Sequence, residues 1–156
     1  MMYKIAQILC ICAVCALAST EQLQVSAKKI ESDLKKGQTL LNGDVVVTKG
    51  GDTLWADKVL IETNKKNQPT RYVASGNVRF HTKLPDKEFK GKAKKAIYDV
   101  QKDEYQLIDN AMIEEVGKQN SIKGDVITFS PSTEEALVKG SDKKPSVLTF
   151  IMEPSP

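Results

Sequence analysis

The sequence predicts an all-β domain, and three observations support that prediction. Apolar residues alternate with polar ones, turn residues recur at close intervals, and one strand pattern repeats every 33 residues. No stretch keeps the i, i+3, i+4, i+7 apolar spacing of an amphipathic helix over a helical length. Alternation bounded by frequent turns therefore favours strands throughout the domain.

The N-terminal segment has the pattern of a secretory signal peptide. A basic start at Lys4 precedes an apolar run, and Ala16 and Ala18 are the small residues expected before a cleavage site. The run of about fourteen residues is shorter than the ~20 residues of a membrane span. We therefore expect export and removal of residues 1–18, with residues 19–156 forming the domain. An uncleaved membrane anchor is the alternative.

Composition excludes most catalytic and metal-binding classes. All three cysteines lie in the predicted signal peptide, and the chain has one histidine, His81. Sites that need two or three imidazole ligands are therefore excluded, and no nucleophile motif or phosphate-binding loop is found. We predict no enzyme activity, no cofactor and no metal. A net charge of +3, without exposed aromatic residues between the basic ones, does not indicate nucleic-acid binding.

Turn residues divide the domain into strands. They lie at 35–38, 49–52, 64–69, 85–87, 101–104, 117–120, 130–134 and 141–145. Between these turns, alternate apolar residues share a face. The pairs are Val45 with Val47, Val78 with Phe80, Tyr105 with Leu107, and Ile127 with Phe129. One side of each strand is therefore expected to be buried.

The repeat adds a second level of organisation. Equivalent strand centres at Gly43, Gly76 and Asp109 are each 33 residues apart, and a second strand follows each of them. Helical arrays with this period need helical patterns that are missing here. Two strands per unit, packed around a common apolar interior, predict a sandwich or jelly roll.

A bend is expected within these strands. Leu54 and Ala56 have one parity, whereas Val59 and Ile61 have the other. All four side chains can be buried only if the strand gains an extra residue, so we predict a bulge or corner near Asp57.

The inward register gives an apolar lining of medium-sized side chains. We predict that this lining consists of Val45, Val47, Val59, Ile61, Val78, Phe80, Tyr98, Leu107, Ile113, Ile127 and Phe129. Such a lining can pack shut as an ordinary core, or it can part to accept acyl chains because its walls are already apolar.

Lys90, Lys92 and Lys94 alternate with small residues, which places three ammonium groups on one strand face. Two interpretations are open. The first is a solvated face, whose lysines discourage edge-to-edge aggregation. They can also contact an anionic partner such as a phosphate group.

The segments Leu41–Ile61, Ala74–Phe80 and Asn120–Phe129 resemble the OstA-like domain family of lipopolysaccharide transport. The resemblance extends from about Val25 to Met152 and includes the Gly-Asp/Asn-Val repeats. It implies a twisted β-jelly roll in the periplasm whose apolar groove carries the acyl chains of lipid A.

The resemblance also implies partners. Family members stack end to end by strand pairing and link an LptC-like protein of the inner membrane to an LptD-like protein of the outer membrane. An unclosed roll has unpaired edge strands, so we expect head-to-tail self-association through Leu23–Ile30 and Val147–Met152. An LptC-like anchored subunit and a structural β-module without lipid remain alternatives.

Overall fold

The structure, a computed structural model, describes residues 22–130, 133 and 135–150. In this part of the chain every regular element is a β-strand, as the alternation predicts. The strands are β1 (Leu23–Ser26), β2 (Lys29–Asp33), β3 (Gln38–Lys49), β4 (Asp52–Thr63), β5 (Pro69–Lys83), β6 (Glu88–Asp99), β7 (Glu104–Glu115), β8 (Ser121–Ser130), β9 (Glu135–Lys139) and β10 (Val147–Thr149). Among the described residues, no helix has the length and hydropathy needed to cross a membrane. The predicted signal peptide lies outside these residues.

All ten strands form one antiparallel sheet in which β3 to β8 are joined as consecutive hairpins. The sheet forks at both ends. β2 pairs with the first half of β3 and β1 pairs with its second half. In the same way, β9 and β10 pair with opposite halves of β8. The sandwich expected from the sequence is therefore a single sheet bent into two layers.

The bend, here called the corner, lies where the pairing register shifts between all neighbouring strands from β3 to β8. The first layer contains β2 and β9, and the second contains β1 and β10. The bulge or corner predicted near Asp57 is confirmed, and its extra residue lies in the strand opposite: Gly43 and Asp44 of β3 together face Asp57. Parity alone does not show which of two paired strands carries the bulge.

The 33-residue repeat marks these bulges. Each repeat centre begins two consecutive residues with positive φ, in β3, β5 and β7. They are Gly43 (82°) with Asp44 (44°), Gly76 (79°) with Asn77 (48°), and Asp109 (67°) with Asn110 (50°). Only Gly, Asn and Asp adopt this left-handed conformation readily. This preference explains why Asp109 can replace glycine in the third repeat.

The bulges keep one face of the sheet apolar through the bend. Buried residues are four apart in the odd-numbered strands, as in Leu41 and Val45, and three apart in the even-numbered strands, as in Ala56 and Val59. The buried core is entirely apolar among the described residues and lies at the corner between the two layers. It consists of Leu41, Val45, Ala56, Val59, Ile61, Ala74, Val78, Ala93, Ala96, Leu107, Ala111 and Ile127.

Candidate functional site

All eleven residues predicted to line a groove lie on the inner face of the bent sheet. Val59, Ile61, Tyr98, Leu107, Ile127 and Phe129 are in the first layer, and Val45, Val47, Val78, Phe80 and Ile113 are in the second. Burial falls with distance from the corner. Ile127 is 0% exposed, whereas Phe129, two residues further along β8, is 36% exposed. The inner face is therefore a closed core at the corner and opens towards its rim.

Phe80 is the largest predicted side chain on the inner wall of the second layer. It is half-buried and lies opposite Gly91 in the neighbouring strand. A Cβ atom at residue 91 would lie only 2.0 Å from Cε1 of Phe80. The phenyl ring therefore covers the backbone of Gly91, a close approach that only a glycine permits.

The residue before Phe80 points to the opposite side of the sheet. Arg79 is exposed, and its guanidinium carbon lies 5.7 Å from the centroid of the Trp55 ring. The alternation along β5 thus separates an apolar inner position from a charged outer one.

A row of aromatic rings forms the rim of the first layer. Tyr72, Tyr98 and Tyr105 lie opposite one another on three consecutive strands. Ring centroids are 6.1 Å apart for Tyr72 and Tyr98 and 4.2 Å apart for Tyr98 and Tyr105, and both pairs are stacked. Phe129 continues this row on β8. We call these four residues the aromatic rim.

The aromatic rim also carries polar atoms. The Tyr98 hydroxyl donates a hydrogen bond of 2.9 Å to Oδ1 of Asp103. Burial raises the pKa of Tyr98 well above its usual value, and the bond to Asp103 adds to the shift. The pKa of Tyr105 is raised to about 12, mainly because the side chain is partly buried and to a smaller extent because of the negative charge of Asp52.

Of the rim tyrosines, Tyr98 was predicted as a lining residue, but Tyr72 and Tyr105 were not. Tyr105 shares the face of Leu107, and this parity could have placed it on the inner side. Placing Tyr72 needs the pairing of β5 with β6, since it becomes part of the rim only opposite Tyr98.

No group of three or more potential metal ligands occurs among the described residues. His81 lies on the outer face, where Nε2 is 3.1 Å from Oε2 of Glu88. With apolar walls and phenol groups only at its rim, the inner face is suited to bind hydrocarbon.

A single sheet bent into a jelly roll around an apolar inner face defines the structural class of this protein. Residues 24–135 match the family described as "LptA/(LptD N-terminal domain) LPS transport protein". The chain belongs to this family and is a lipopolysaccharide transport protein. No curated protein sequence matches it.

A solved structure supports the same fold. The chain is similar to LptH, described as the LptA homologous periplasmic component of the conserved lipopolysaccharide transport device from Pseudomonas aeruginosa. The two share 23% sequence identity with a TM-score of 0.73, over 86% of this chain and 96% of LptH. The match confirms the predicted β-jelly roll.

Proposed function

We propose that the inner face holds the acyl chains of lipid A while this protein carries lipopolysaccharide across the periplasm. The observation that supports this most directly is the burial gradient from the corner to the rim. At the corner the layers are packed together, but Phe80, Ile113 and Phe129 are only half-buried or exposed. Acyl chains laid along these residues would remove both their own and the protein's apolar surface from water.

The energy of such contacts is sufficient for binding without polar partners. Burying apolar surface contributes about 25 cal/mol per Å², or about 0.8 kcal/mol per methylene group. The aromatic rim supplies hydroxyl groups where an acyl chain would end and a polar headgroup would begin. Tyrosine suits such a boundary because one end of its side chain is apolar and the other polar.

The test is to place a charge on the inner face. Phe80→Glu should sharply weaken lipopolysaccharide binding, because the carboxylate would lose its hydration beside hydrocarbon. Gln106→Glu is the matched control, since Gln106 is half-buried on the outer face between Ile97 and Thr128. Binding is measured by photocrosslinking to purified lipopolysaccharide, and circular dichroism checks folding. If the Phe80 variant folds and binds lipopolysaccharide like the parent, the proposal that the inner face holds acyl chains is wrong. If the delipidated parent protein does not bind lipopolysaccharide, the alternative of a structural β-module is favoured instead.

We further propose that the chain acts as a periplasmic bridge between LptC-like and LptD-like proteins. Removal of residues 1–18 would release it from the inner membrane, so mass spectrometry of the exported protein should show an N-terminus at Ser19. An intact N-terminus in the inner membrane would favour the LptC-like alternative.

The ends of the sheet support association by strand addition. β1 and β2 pair only with β3, and β9 and β10 only with β8, so each end has a free edge among the described residues. Leu23 and Ile30 at one end, and Val147 and Leu148 at the other, are exposed apolar residues. Of the predicted segments, the residues after 150 lie outside the described part.

Joining unlike ends is a heterologous contact that produces open filaments. Light scattering should therefore show an average mass that rises continuously with protein concentration. Leu148→Asp should reduce this rise, whereas Leu84→Asp, at a similarly exposed leucine in the β5–β6 loop, should not. A strict monomer or fixed dimer at all concentrations would contradict the proposal.

A further inference from the structure

A row of cationic side chains crosses the outer face of the second layer. Arg79, Lys92 and Lys123 are exposed, and the strand register places them in one cross-strand row with Trp55 and Met112. Neighbouring strands are about 4.8 Å apart, so the row extends roughly 15 Å from Arg79 to Lys123. We call these five residues the outer cationic row.

Within residues 22–130, 133 and 135–150, the cations of this row, Arg79, Lys92 and Lys123, form no ion pair with a carboxylate. Arg79 and Lys92 lie directly opposite each other, and like charges in that position destabilise a sheet. Unfavourable local contacts such as this pair of like charges are expected mainly at functional sites.

Protection of a sheet edge does not explain the row. Lysines that discourage aggregation are needed on edge strands, whereas β6 lies between β5 and β7 inside the sheet. The solvated face predicted for Lys90, Lys92 and Lys94 is confirmed, since all three are exposed, but it protects no sheet edge. The second interpretation is contact with an anion.

Two hollows meet at the same cations. One, of about 520 Å³, extends from Arg79 and Lys92 towards Asp57 and Asn110 at the corner. The other, of about 440 Å³, extends from the same two residues over Trp55 and Met112, and Lys90, Glu114 and Phe80 also line it. Both volumes are within the range of sites that bind small molecules.

We propose that the outer cationic row binds a phosphorylated sugar. The Arg79 guanidinium can donate two parallel hydrogen bonds to one phosphate, and the ammonium groups of Lys92 and Lys123 supply point charges for another. Trp55 and Met112 form an apolar floor against which a sugar ring can pack. Trp55 is partly buried and carries Arg79 above its ring, so it is recessed in a hollow and does not project as a membrane anchor would.

The charged groups of this site lie on the face opposite the inner groove, although Phe80 and Gly91 also border its second hollow. Arg79 and Phe80 are adjacent in β5 but point to opposite faces, as do Lys92 and Gly91 in β6. Loss of anion binding would therefore leave the apolar groove intact, and failure of either proposal can be recognised separately.

The experiment uses the chain's single tryptophan, Trp55, as a reporter within the site. Glucose 1,6-bisphosphate is titrated into the exported protein while tryptophan emission is recorded, and calorimetry repeats the titration because substitutions of Arg79 change the surroundings of Trp55. Arg79→Gln and Lys92→Gln should each weaken binding by about tenfold or more, since charge-assisted hydrogen bonds are lost. Lys66→Gln, at an exposed lysine in the β4–β5 turn, should leave binding unchanged.

Two further arms distinguish the source of the phosphate. Inorganic phosphate should bind more weakly than the bisphosphate, and vesicles containing phosphatidylglycerol should bind no more tightly than vesicles of phosphatidylcholine alone. Saturable, salt-sensitive binding of the bisphosphate that depends on Arg79 and Lys92 supports the site. Absence of saturation, equal weakening by Lys66→Gln, or binding only to anionic vesicles would overturn it.

Discussion

Replacing Gly91 by alanine tests the packing of the inner face most directly. Gly91 is not among the described residues with positive φ, so an alanine there meets no backbone strain. Its Cβ would lie 2.0 Å from Cε1 and 2.2 Å from Cζ of Phe80. Carbon atoms pack at about 3.5–4.0 Å, so the phenyl ring would have to move by roughly 1.5 Å or more.

The size of the effect follows from this displacement. Overpacking of a well-filled interior costs about 1–3 kcal/mol. For a domain of this length, each kcal/mol lowers the melting temperature by about 3–5 °C. Gly91→Ala should therefore lower the melting temperature measurably when thermal unfolding is monitored by circular dichroism. The cause would be the lost position of the Phe80 ring rather than any change in the strand itself.

A double-mutant cycle isolates that cause. In a Phe80→Ala background the ring is absent, so Gly91→Ala should cost far less than it does in the parent. The expected coupling between the two positions is about 1–3 kcal/mol. If Gly91→Ala lowers the free energy of unfolding equally in both backgrounds, or does not lower it in the parent, then the ring does not cover the glycine and the proposed inner wall is wrong.

Three further predictions concern the corner, the aromatic rim and export. Gly76 (φ 79°) and Gly117 (φ 81°) have nearly the same backbone conformation. A Cβ atom added at Gly76 would lie 2.5 Å from Oδ2 of Asp57, whereas a Cβ atom added at Gly117 would have no neighbouring atom within 4 Å. Gly76→Ala should thus lower the free energy of unfolding by about 1 kcal/mol or more beyond Gly117→Ala in urea titrations, and equal losses would contradict a close approach at the corner. Because the pKa of Tyr98 is raised in the folded protein, above pH 10 the unfolded chain releases a proton that the folded chain retains. The free energy of unfolding should therefore fall from pH 10 upwards, and it should fall less in Tyr98→Phe. Identical pH profiles for the two proteins would refute this. Finally, replacing Ala18 by a bulky residue should block processing before Ser19 and retain the precursor in the inner membrane, which a size comparison on immunoblots would show.

The sequence by itself determined the strand content, the turns and the inner face. Local preferences are sufficient for these features: alternation of apolar residues such as Val45 and Val47 allows only one side of a strand to be buried. Glycine, asparagine and aspartate at the repeat centres mark residues that can adopt positive φ. All eleven predicted lining residues consequently lie on the inner face.

The tertiary structure decided which residues meet across strands. The bulge opposite Asp57, the stacking of Tyr72 on Tyr98, and the row formed by Arg79 and Lys92 all depend on register between neighbouring strands. It also decided how far each lining residue is buried, from Ile127 at the corner to Phe129 at the rim. A single strand carries information about its two faces. Its partner, its register and its distance from the bend are set by the packing of the whole sheet, because a shift by one residue would expose every buried side chain.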